Sequence, residues 1–215
     1  MQLSQTLEKA KYLVEQKQEY AQAFSLLMTI RKEAENDADQ VKRARFYLLA
    51  ATAADHSGNA AEGKVLLACI AEIGIPKLPL KIQARYYNQL GVSQYHSSET
   101  GVAISNLFHS LKIREELADH AGISQAHYNL ANTYRHLQDL DLALKHMKDA
   151  VNYASQTGDH YKIALYKVGL ARIYDTRREF SIAEKQYKEA LALAKKKKHD
   201  RVTAICLNNL AGMYI

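Results

Sequence analysis

A forty-residue period runs through the chain and narrows the possible folds more than any composition does. Stepping by forty, one column holds Ala10, Ala50, Leu90, Leu130, Leu170 and Leu210, and the next holds Lys11, Ala51, Gly91, Ala131, Ala171 and Ala211. Three residues further on come Val14, Ala54, Gln94, Tyr134, Tyr174 and Tyr214. A second group keeps the same phase. Ala23, Gly63, Ala103, Ala143 and Ala183 are all small, Leu27, Leu67, Leu107, Met147 and Tyr187 are all large, and Ile30, Ile70, Ser110, Ala150 and Ala190 follow. No insertion or deletion interrupts five copies, which marks each copy as one unit of an array.

Within a copy the apolar residues recur at i, i+3, i+4 and i+7, as in LDLALKHMKDAVNYA at 140–154, which is the period of an amphipathic helix. With only 2 Pro and 9 Gly there are few breakers for a turn-rich β fold. Each copy therefore predicts two helices. The small columns let two backbones cross closely while the large neighbour four residues later fills the space beside the crossing. Turns are expected within the pairs at 17–19, 57–59, 97–99, 138–139 and 177–179, and between pairs at 36–39, 74–79, 119–122, 158–160 and 199–200. Asp159 and Asp200 are expected to cap the helices that follow them. The segment carrying Pro76 and Pro79 is the one irregularity expected, a rigid turn.

Composition excludes several classes. At 47% hydrophobic and 24% charged over 215 residues, the chain can bury a real core. Cys69 and Cys206 lie far apart with no paired spacing, so both read as small packed hydrophobes in a reducing compartment. No run is apolar enough to span a membrane, and the start MQLSQTLEKAKYLVEQ lacks the pattern of a signal peptide, so a cytoplasmic location without membrane contact is expected. The formal charge is +6, yet four of the positive charges form the run Lys195–Lys198 at a predicted helix end, where the dipole favours cations. Nucleic acid is therefore not the expected partner.

No phosphate-binding loop, dinucleotide fingerprint, HExxH or GxSxG is present, so no catalytic residue, cofactor or enzyme activity is expected. His56, His96 and His136 share a column near the end of three first helices. Facing helices pack about 8–10 Å apart, but the column has no carboxylate or cysteine in phase, and polar helix-end residues are the simpler reading.

The repeats resemble tetratricopeptide repeats, in a forty-residue variety. Leu130, Ala131, Tyr134, Ala143, Met147 and Ala150 follow that family's pattern closely, and Leu170, Ala171, Tyr174, Ala183, Tyr187 and Ala190 follow it again. The resemblance implies an all-α, right-handed superhelical solenoid of antiparallel helix pairs: repeats at about 1–37, 38–77, 78–119, 120–158 and 159–199, with a partial sixth at 200–215. Lys11 at a small position suits an end cap. The closing stretch NNLAGMYI reads as half a repeat, with Leu207, Leu210 and Tyr214 as an open apolar stripe. That stripe predicts self-association, such as a homodimer through the C-terminal helix, and the N-terminal part of a longer chain.

In this family ligands lie on the inner face made by the first helices. Mapped by column, Arg45, Arg85 and Gln125 form one row, and Asn88, Gln89, Asn129, Asn208 and Asn209 lie just before the Leu column. Asn132 and Arg172 come two residues after it, and Tyr95, Arg135 and Asp175 one turn later. Amides that both donate and accept can satisfy the backbone of an extended peptide, and arginines can capture carboxylates. A protein or peptide partner is thus implied. The carboxylate clamp of chaperone-binding members is not, because Val168 and Gly169 interrupt its row. The spacing is similar to that of repeats in bacterial signalling regulators, where they serve as sensor or dimerisation segments. Two alternatives are a nucleic-acid-associated regulator using Lys195–Lys198 and a peptide-regulated phosphatase-like regulator, which would need a helical bundle ahead of Leu7.

Overall fold

The computed structural model describes residues 2–213, and its regular structure is helical throughout, with no strand among the described residues. The chain forms two compact units, Met1–Ile113 and Arg114–Ile215.

In the first unit, α1 (Gln2–Tyr12) runs into a π-helical turn at Leu13–Lys17, followed by α2 (Tyr20–Thr29) and the short α3 (Arg31–Glu35). Then come α4 (Gln40–His56), α5 (Ala60–Ile73), a 3-10 turn at Ile75–Lys77, α6 (Leu80–His96) and most of α7 (Thr100–Glu116). The second unit holds α8 (His120–His136), α9 (Leu140–Thr157), α10 (His160–Thr176), α11 (Phe180–Lys196) and α12 (Asp200–Met213). The expected pairs are therefore present. The irregularity is not confined to the prolines, because the π turn and the break at Ile30 also depart from a plain helix pair.

The repeat columns are the core. Ala23, Gly63, Ala103, Ala143 and Ala183 are all buried, and so are Leu27, Leu67, Leu107, Met147 and Tyr187 beside them. Ser110, the polar member of its column, is buried too, and its hydroxyl donates to Ala84 O at 2.7 Å, so the one OH in that column is satisfied. Small residues at the crossings and large ones beside them give the close packing that the periodicity predicts. Both cysteines are free; burial raises both thiols, that of Cys206 to about 11, which makes them inert packing groups.

Turns and caps obey the same phase. One residue of each turn within a pair takes a left-handed conformation: Gln18, Gly58, Ser98, Gln138 and Arg178, with φ between 56° and 87°. Asp39, Asp119 and Asp159 precede first helices, and their carboxylates accept from backbone N–H groups of the opening turn, as Asp159 does from Lys162 N at 3.0 Å. Asp200 does not cap. It is already the first residue of α12, and the capping phase falls on His199, whose carbonyl accepts from Thr203 N. Similarly, α8 has begun by His120, so Gly122 is helical and buried, outside the turn.

Leu210 corrects the expected open stripe at the end of the chain. It is only 9% exposed and packs with Val202 and Cys206 in the core of the second unit. Leu207 is exposed, and Tyr214 lies outside the described residues.

Candidate functional site

The residues expected to meet a ligand are divided between the two units. In the first unit Arg45 is exposed on α4, and Arg85 on α6 lies 3.8 Å from the Glu15 carboxylate. Tyr95 stands edge-on to His96. Asn88 and Gln89 do not face outward. They are 5% and 7% exposed, and the Gln89 amide is engaged between helices, donating to Asp55 Oδ2 at 2.6 Å and accepting from Thr52 Oγ1 at 3.1 Å. The polar column that faces solvent elsewhere is here turned into the packing of α6 against α4. Burial in turn holds the Asp55 carboxyl above the usual carboxylate range.

In the second unit the corresponding residues stay accessible. Gln125, Arg172 and Asn208 are exposed, while Asn129, Asn132, Arg135, Asp175 and Asn209 are partly so. They lie on α8, α10 and α12, the first helices of successive pairs. Asn132 Nδ2 donates to Tyr128 O at 3.0 Å and Asn209 Nδ2 to Ile205 O at 2.9 Å, which fixes both amides against their own helices. Arg135 and Arg172 act on the same two phenols. Their charges oppose the rise that burial imposes on Tyr128, and on Tyr187 they oppose burial and Asp175, which together push that hydroxyl up to about 12. The charges of both arginines thus reach the same two tyrosines, Tyr128 partly buried and Tyr187 fully buried.

A second constellation in this unit lies on histidines that the column reasoning passed over. His127 on α8 and His146 on α9 are both buried, with their Nδ1 atoms 2.9 Å apart. Asp149 Oδ2 lies 3.9 Å from His127 Nδ1. The rings of Tyr134 and Tyr153 lie nearly parallel to His146 and His127, at 5.5 Å and 5.9 Å between centroids. Burial lowers both imidazoles, and His146, also opposed by His127, is held down to about 4. At neutral pH both rings are therefore neutral, and one donates to the other. By contrast His56, His96 and His136 are exposed, with His56 stacked on Tyr20.

The signal for the buried group was the same forty-residue step applied to polar positions. Tyr87, His127 and Lys167 share a phase on first helices, and His109, Asp149 and Glu189 share one on second helices. The structure joins each pair across the helices: Tyr87 with His109 at 4.2 Å between rings, His127 with Asp149, and Lys167 Nζ with Glu189 Oε2 at 2.6 Å.

The family model for the tetratricopeptide repeat matches residues 122–196. This segment of the chain is tetratricopeptide repeat. It covers α8 to α11 almost completely, the stretch where the Leu-Ala-Tyr and Ala-large-Ala columns are kept most strictly. No curated protein sequence matches the chain. Among solved structures, the chain superposes with a TM-score of 0.73 and 19% identity on a Signal Transduction ATPase with Numerous Domains from Pyrococcus horikoshii that carries a tetratricopeptide repeat sensor, over 93% of this chain and 31% of that one. For the apo form of RapI the TM-score is 0.74 and the identity 15%, over 96% of this chain and 75% of the other. For NprR in complex with its cognate peptide NprX the figures are 0.68 and 17%, over the whole of this chain and 62% of the other. The chain therefore spans about a third of the ATPase and less than two thirds of NprR. At these identities the likeness establishes the fold, a helical solenoid of the tetratricopeptide type. No helix among the described residues is long and apolar enough to cross a membrane.

Proposed function

We propose that the second unit binds an extended peptide segment of a protein partner along α8, α10 and α12, with Arg135 and Arg172 taking a carboxylate. The observation that carries this is that Arg135, Arg172, Asn129, Asn132 and Asn209 are all accessible on the first helices α8, α10 and α12, with the charges of both arginines reaching Tyr128 and Tyr187. Guanidinium groups capture carboxylates in bidentate fashion, and amides on neighbouring helices supply both donors and acceptors to a backbone that has no sheet to pair with. The fold-level relatives add support: NprR is seen with its cognate peptide, and a Rap protein is seen complexed with competence and sporulation factor. On this reading the chain is the recognition segment of a regulatory protein and has no catalytic role of its own.

The test is selection from a displayed library of short peptides. Wild-type chain should enrich a sequence family rich in Asp, Glu or a free C-terminus, and Arg135→Glu together with Arg172→Glu should abolish that enrichment while leaving circular dichroism unchanged. Equal enrichment by the double variant would refute the proposed face.

A further inference from the structure

We propose that His127, His146 and Asp149 form a site for one divalent transition-metal ion of the zinc class, held between α8 and α9. It is independent of the peptide face, since none of the three belongs to that set of residues.

The three ligand atoms are gathered to near the spacing that a single ion requires. Imidazole nitrogens and carboxylate oxygens bind zinc at about 2.0–2.2 Å, so two ligands of one ion stand about 3 Å apart at a right angle and about 4 Å apart when opposite. The two Nδ1 atoms are 2.9 Å apart, Asp149 Oδ2 is 3.9 Å from one of them, and all three ligand atoms lie within 4.8 Å of one another. Two residues, His146 and Asp149, come from one turn of α9 and the third from the helix it pairs with, an arrangement that the bundle core of carboxylate metalloproteins also uses. Tyr134 and Tyr153 hold the rings in place by stacking, which reduces the ordering cost of capture. The Asp149 side chain is 40% exposed and gives the ion a way in from solvent, with the remaining coordination positions left for water. Two imidazoles and one carboxylate select zinc, cobalt or nickel over magnesium or calcium.

The next repeat supplies an internal comparison. One step of forty from His127, His146 and Asp149 lie Lys167, Gln186 and Glu189. There the Lys167 ammonium sits 2.6 Å from Glu189 Oε2 and 3.5 Å from Gln186 Oε1, so the fold already places a cation at this spot, supplied by the chain itself. In the earlier repeat the lysine is replaced by a second lone-pair donor, and the cation must come from outside. No redox change or net proton loss is needed: the ring that carries its proton on Nδ1 moves it to Nε2 as both Nδ1 atoms turn to the metal.

The experiment is a titration of chelator-stripped chain with Co2+, read by visible d–d absorption, followed by displacement with Zn2+. One saturating equivalent is expected, with binding weakened at least tenfold in Asp149→Asn and lost in His146→Gln. Because a core histidine variant can misfold, Asp149→Asn at a half-exposed position carries the test if His146→Gln loses its helical circular dichroism. No saturable band up to millimolar metal would overturn the proposal, as would stoichiometric binding unchanged in Asp149→Asn and His127→Gln, which would locate the ion at other histidines.

Discussion

The first helix pair of the first unit and the α8–α9 pair of the second are written to the same forty-residue plan, but only the second keeps it. In α8–α9 each small column position holds alanine, the helices run unbroken for 17 and 18 residues, and every column residue but the partly buried Tyr134 is buried. In the first pair Lys11 is exposed where the column wants a small residue, the ladder widens into a π turn just beyond it, and the partner helix breaks at Ile30. The residues around the break, LLMTIRKEAE, are good helix formers. Propensity alone therefore does not keep a helix on one hydrogen-bond ladder, and neither does the column alone, since Ala23, Leu27 and Ile30 are buried in phase and the helix still breaks at Ile30.

The comparison is most open to breaking at the large column. Tyr187 is 1% exposed in the regular unit, and Tyr187→Ala should cost about 3–5 kcal/mol in urea denaturation, against the lower end of about 2–5 kcal/mol for Leu27→Ala in the irregular pair. Equal costs would mean that the irregular pair packs as tightly as the regular one.

The two units should also respond to pH with opposite sign. His146 has a folded value of about 4 against an ordinary 6.5, so its contribution is present above 6.5 and is lost as pH falls towards 4, on the order of 3 kcal/mol in α8 and α9. Asp55 is raised instead, so its contribution is present at low pH and is lost as pH rises through its folded value. Amide exchange read segment by segment should show α8 and α9 opening on acidification, and Asp55→Asn should remove the opposite trend in α4.

Smaller effects sharpen the picture. A Cβ on Gly91 would meet Leu107 Cγ at 2.8 Å and the Ala103 carbonyl at 3.0 Å, so Gly91→Ala should cost about 1–3 kcal/mol. At Gly169 the obstacle is the Met147 methyl at 2.6 Å, the far end of a flexible chain, and Gly169→Ala should cost less than about 1 kcal/mol. Lastly, thermal melts should show Asp159→Ala losing about 1 kcal/mol and Asp200→Ala less than about 0.5 kcal/mol, since only Asp159 caps a helix.

The helix pairs, their turns and nearly all of the core were legible because a column is a packing constraint repeated five times, and repetition averages out the ambiguity of any one residue. Gln89 turns inward for the converse reason. A polar residue in a solvent-facing column turns inward when a partner such as Asp55 waits there, and that partner lies 34 residues away in sequence. Asp200 was misread by a single residue, since any Asp beside a turn resembles a cap until its phase is checked against Asp119 and Asp159. The histidine pair was missed because its members sit on different helices, in columns that each look unremarkable alone.

The left-handed residues at 18, 58, 98, 138 and 178 make the joints between helices interchangeable parts. Gln138 at φ 62° and Arg178 at φ 63° close the same corner with unrelated side chains, so a recombination event that removes or duplicates the block between them leaves a junction that needs no new invention. Such a chain can change length in whole blocks at almost no cost, whereas a single extra residue would turn everything after it by about 100° around the helix axis. Length becomes a heritable variable in steps of forty, and evolution can tune how much surface the chain presents without touching how it folds.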